Sequence, residues 1–165
     1  MLDNLYRMLG AITVAGGLAF AGCDILDGMD DDGEGDACWE CEGSGTMTAD
    51  IGGDPFEAFC VSASNAGGYI QLGAVYCTEG QNTNENSISI YSTATAPGTY
   101  EFDPYGDNQL NWGWNGETGV AQSGTITFAE VTDTGCAGTF DAVTTTFSDG
   151  SEVIVTGEFT GTFAE

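Results

Sequence analysis

Two groups of residues in this chain could do chemistry. The first is a pair of thiols, Cys38 and Cys41, spaced C-x-x-C around Trp39 and Glu40. At the start of a helix such a pair has a lowered thiol pKa and can exchange disulfides. Here it lies in an acidic, glycine-rich stretch whose carboxylates push the pKa the other way. Cys60, Cys77 or Cys136 could complete a zinc site with the pair. The expected use of Cys38, Cys41, Cys60, Cys77 and Cys136 is nevertheless structural disulfides, at most two bridges with one thiol left over. The second group is Tyr100, Phe102, Tyr105, Trp112 and Trp114, interleaved with Glu101, Asp103, Asp107, Asn111 and Asn115. Aromatic faces stack on sugar rings, while amides and carboxylates hydrogen-bond their hydroxyls. Tyr100, Tyr105, Asn111, Trp112 and Trp114 are therefore candidate ligand-binding residues. The competing expectation puts Trp112 and Trp114 in the core, since two residues apart on a strand they share one face.

Other chemistries have less to stand on. A glycosidase needs two placed carboxylates, but acids are so abundant here that finding a pair carries no information. Ser and Thr nucleophiles lack a His or Lys base. Asp30, Asp32, Glu34 and Gly35 approximate the first half of an EF-hand loop, yet its twelfth position falls on Cys41 instead of a bidentate Glu. No metal or cofactor is expected. The leading expectation is a non-catalytic module that binds a glycan, a small molecule or a protein. The alternative is an extracytoplasmic enzyme, either a carboxylate-based glycan hydrolase or a thiol oxidoreductase using Cys38 and Cys41.

Charge narrows the field further. The 165 residues include 26 acids, one cation (Arg7) and no histidine. Phosphate contacts from Lys or Arg are absent after the first few residues, which excludes nucleic acid as a partner. Histidine-dependent triads, metal sites and pH switches are excluded as well. Self-repulsion destabilises a compact acidic chain and salt screens it, so the composition suits a high-salt milieu. Such charge often signals disorder, but 41% hydrophobic and 11% aromatic residues are enough to build a core.

The elements that must position these groups begin with a leader. Met1–Arg7 carries the single cation, and Met8–Phe20 is apolar but too short to span a bilayer as a helix. Leu18-Ala19-Phe20-Ala21-Gly22-Cys23 then looks like a bacterial lipobox, where cleavage precedes a lipid-modified cysteine; Phe20 is the one departure. Residues 1–22 are thus expected to be a lipoprotein signal peptide and Cys23 the lipidation site. Two or more acyl chains on Cys23 anchor a protein stably to membrane lipid. Residues 23–45 form an acidic, Gly-rich linker. Its acidic run resembles a surface-export tag, whereas Asp24 resembles an inner-membrane retention signal. The cell envelope is the expected location, with the outer membrane or cell surface favoured.

From Thr46 to Glu165 the pattern is alternation broken by glycine-rich turns, the mark of half-buried strands. Met47, Ala49 and Ile51 share a face, as do Ile70, Leu72, Ala74 and Tyr76. Strands are expected over 56–64, 69–78, 87–91, 99–102, 109–115, 124–132 and 138–147, before a final strand in which Val153, Val155, Gly157, Phe159, Gly161 and Phe163 align. Eight or nine strands so spaced make an all-β antiparallel meander that closes as a barrel or sandwich.

These residues resemble a family of short, uncharacterised bacterial lipoproteins with an all-β domain of unknown function. The resemblance rests on Gly45-Thr46-Met47-Thr48-Ala49-Asp50-Ile51-Gly52-Gly53, on Gly98-Thr99-Tyr100 and Gly138-Thr139-Phe140, and on Val153-Ile154-Val155-Thr156-Gly157-Glu158-Phe159. It covers about residues 46–165, leaves out Cys38 and Cys41, and implies a location and a fold but no chemistry.

Overall fold

The computed structural model describes residues 43–76 and 86–163. The expected signal peptide, the Cys23 attachment point and the linker up to residue 42 lie outside the described residues, as do Cys38, Cys41 and Cys77. What is described is all-β, in ten strands. These are β1 (Gly45–Ile51), β2 (Asp54–Glu57), β3 (Cys60–Ala66), β4 (Tyr69–Val75) and β5 (Ser87–Ser92), then β6 (Gly98–Glu101), β7 (Gln109–Trp114), β8 (Glu117–Val131), β9 (Gly135–Thr146) and β10 (Glu152–Thr162).

They form one antiparallel sheet in the order β2-β1-β10-β9-β8-β7-β5-β4-β3, with β6 paired to the far half of β8. The order begins at β2 and ends at β3, yet only Ala58 and Phe59 separate those strands in the chain. The sheet must therefore curl until its ends meet. The hand-over is visible in the backbone: Ala58 N–H donates to Met47 O of β1, and Phe59 N–H donates to Val75 O of β4. A parallel bridge between Ala63 and Phe163 joins the same two ends. Close approach there requires a missing side chain, since a Cβ on Gly161 would lie 2.6 Å from the Cβ of Ala63. The result is a curled half-barrel that shields most of its edges.

Alternation decides what the curl encloses. Along β4 and β5 every second residue is buried, and Ile70, Leu72, Ala74, Ile88 and Ile90 meet Leu110, Trp112, Ile126, Phe128 and Phe159 inside. Phe128 and Phe159 meet edge to face with ring centroids 5.5 Å apart. Full burial of side chains this size stabilises by about 1.5–3 kcal/mol each, so the inward face carries the fold.

Two boundaries differ from the sequence expectation. The run 56–64 is two strands, β2 and β3, because the chain changes sheet ends at Ala58–Phe59. The strand expected from Gly124 begins at Glu117. Its first half faces the core with Gly119 and Ala121, which are too small to show as hydrophobic alternation. The turn before it was readable: Asn115 and Gly116 take φ of 52° and 83°, the left-handed pair of a two-residue hairpin.

Candidate functional site

That hairpin sets one wall of an open cleft of about 480 Å3, lined by Ser87 of β5, Asn111 to Gly113 of β7, Gly116 to Gly119 at the start of β8, and Phe147. Trp112 forms its floor. The indole lies across Gly119, where a Cβ would sit 2.7 Å from ring atom Cε2. Its Nε1 donates to Thr144 Oγ1 at 2.8 Å, and that hydroxyl donates onward to Val153 O at 2.8 Å. Trp112 is thus locked by packing and by a hydrogen-bond chain across three strands. Phe147, 68% exposed, stands at the rim, its N–H held by Thr118 O. Glu117, also at the rim, accepts a hydrogen bond from Ser148 Oγ through its Oε2. It is the single carboxylate among the lining residues.

The structure separates the aromatic residues that the sequence puts together. Only Asn111 and Trp112 reach the cleft. Tyr100 packs edge-on against Phe128 at 6.0 Å and its hydroxyl donates to Ala96 O, pinning the turn before β6. Phe102 is buried in the core, and Tyr105 stands 96% exposed on the turn between β6 and β7. Trp114 joins Phe56 and Tyr76 in an aromatic trio at one end of the sheet, with centroids 5.6 Å and 5.1 Å away. Its buried Nε1 has no hydrogen-bond partner among the described residues. The core expectation therefore holds for Trp112, which is 5% exposed, and largely for Trp114. Phe147, Ser87 and Glu117 were not legible as partners of Trp112, because β5, β8 and β9 meet there only through non-local pairing.

The thiols divide in the same way. Cys60, at the start of β3, is disulfide-bonded. Cys136, one of the five candidates, is a free, buried thiol on β9, in keeping with one thiol left over; it is paired with Val131 and Gly161, and burial pushes its pKa up to about 11. No cysteine faces it across either neighbouring strand. Among the described residues, no three His, Cys, Asp or Glu side chains converge as metal ligands.

The sheet is also divided in charge. The strands β1, β2, β8, β9 and β10 carry eight carboxylates between them. The adjacent strands β3, β4, β5 and β7 carry none. On the acidic half, outward hydroxyls pair across strands, as Thr46 does with Thr160 and Thr99 with Thr127, each at 2.9 Å. On the uncharged half, the outward side chains of Ser64, Gln71, Ser87, Ser89, Tyr91 and Asn111 make no hydrogen bond to another described residue. Partial burial raises the Tyr91 phenol pKa. The cleft lies at the corner where the two halves meet.

No family model, no curated protein and no solved structure matches this chain. The geometry of the cleft and the two-sided sheet carry the functional reading by themselves.

Proposed function

We propose that this chain is a membrane-anchored lipoprotein of the cell envelope, with a non-catalytic binding module displayed on an acidic linker from Cys23. The observation that carries the binding reading is the cleft: a rigid indole floor, an exposed aromatic rim at Phe147, and the Asn111 amide and Ser87 hydroxyl beside them. An apolar surface with a few fixed polar groups is what a small polar ligand needs. A hydrolase would need a second carboxylate facing Glu117 across the bound ligand. The lipobox supplies the anchor, and the acidic half keeps the module solvated in high salt.

Tryptophan fluorescence tests the binding reading, since Trp112 lines the site. Titration of the full chain with soluble neutral and acidic oligosaccharides is expected to give a saturable change for at least one. Phe147→Ala should weaken it about tenfold, and the ligand should be recovered chemically unchanged. Release of a shortened sugar would contradict the non-catalytic reading and favour the hydrolase.

A further inference from the structure

We infer that the outward face of β3, β4, β5 and β7 is a docking track for an uncharged glycan chain that continues from the cleft. The inference rests on reading the domain as a non-catalytic binding module, and it adds the ligand's class and the surface that selects it. The register places the groups in rows across the four strands. Ser64, Gln71, Tyr91 and Gln109 form one row, and Ser62, Gly73, Ser89 and Asn111 the next. A third runs from Val75 through Ser87 to Gly113, at the mouth of the cleft. Neighbouring strands lie about 4.8 Å apart, so the face is about 15 Å wide.

Its middle is shallow, because serine and glycine fill the central row and the longer Gln71, Tyr91 and Gln109 border it. All the outward positions of β4 and β5 but the exposed Tyr69 are half-buried instead of projecting, as a trough requires.

Chemistry selects the occupant. Ser62 donates to Gly73 O and Gln109 to Gly106 O, whereas the hydroxyls and amides of Ser64, Gln71, Ser87, Ser89 and Asn111 make no hydrogen bond to another described residue. Such groups both donate and accept, which matches a ligand made of neutral hydroxyls, and Tyr91 offers a ring for stacking. An anionic polymer is repelled by the carboxylates on the rest of the sheet, and no Lys or Arg among the described residues offsets that. A cationic partner is drawn to the acidic half instead. A second copy of the chain fits less well, because stable protein interfaces are built on an apolar core and are poor in serine. The absence of carboxylates over four adjacent strands is the feature that solubility alone does not explain in a chain this acidic.

Affinity electrophoresis of the full chain tests the track, with gels containing a neutral β-glucan, a neutral α-glucan, or polygalacturonate. Retardation by at least one neutral glucan and none by polygalacturonate is expected. Ser89→Asp and Gln71→Glu should each weaken retention at least tenfold. Thr139→Asp, exposed on β9 two strands beyond β7, should leave it within twofold. If no neutral glucan retards the chain, the inference is overturned. It is equally overturned if Phe147→Ala abolishes retention while Ser89→Asp and Gln71→Glu do not, although the cleft reading then survives. Sedimentation showing a dimer that Ser89→Asp disperses would assign the face to a second copy, again overturning it.

Discussion

The two halves of this sheet share one core and differ in everything they show to water. Strands β1, β2, β8, β9 and β10 set carboxylates outward and pair their hydroxyls across the ladder. Strands β3, β4, β5 and β7 set out hydroxyls and amides of which most, Ser64, Gln71, Ser87, Ser89 and Asn111 among them, make no hydrogen bond to another described residue. Inward, the distinction vanishes: Ile70 and Ile90 from the uncharged half pack in the same cluster as Phe140 and Phe159 from the acidic half. The packing that holds the fold together therefore lies on the inward face, and the outward faces are free to differ. One half is specialised for solvation and the other is left open for contact.

The largest effects should fall on that shared core. Phe159→Ala on the acidic half and Ile90→Ala on the uncharged half should each cost about 2–5 kcal/mol, read by urea unfolding. Both should lower a single cooperative transition. Two separate transitions, one per half, would break the picture of a common core. Next comes the hydrogen-bond chain beneath the cleft. Thr144→Val removes the acceptor for Trp112 Nε1 and the donor to Val153 O, at a cost of about 1–3 kcal/mol. It should also broaden the indole environment seen by fluorescence.

A smaller effect separates the halves by charge. Melting temperature should rise with added salt, because screening relieves repulsion among the carboxylates. Glu152→Gln with Glu158→Gln should flatten that dependence, and Ser89→Asp should steepen it. A melting temperature indifferent to salt would contradict the role given to the acidic half.

The smallest effect belongs to one carboxylate in the β9–β10 turn. Asp149 accepts from Thr146 Oγ1 at 2.6 Å and from Ser151 N–H at 2.9 Å, and these bonds lower its pKa from 3.8 to about 2. A group with a depressed folded pKa adds stability above its unfolded value and loses it as pH falls through the folded one. Its contribution should thus be complete above about pH 4 and fade from there towards pH 2. Asp149→Asn should remove that part of the acid dependence, as followed by melts across this range.

Much of this fold was legible in the sequence because period-two alternation reports burial directly. The last strand shows it best: Val155, Phe159, Gly161 and Phe163 are buried as its pattern implies. What was hidden depends on non-local pairing. No local signal says that Ala58 and Phe59 carry the chain between opposite ends of the sheet, or that Trp112 lines a cleft with Phe147 and not with Tyr100. The uncharged half was hidden differently. Its four strands lack charges in the sequence as well, but only the register shows that they lie side by side. The Asn115-Gly116 turn was available to local reading and marks where β8 truly begins.

Attachment at Cys23 is the premise on which display of this two-sided domain depends, and intact mass spectrometry of the membrane fraction tests it most directly. The expected species is a chain beginning at Cys23 and carrying a diacylglycerol thioether, lost in Cys23→Ser. A chain that still begins ahead of Cys23, or one that begins there without acyl mass, would contradict it.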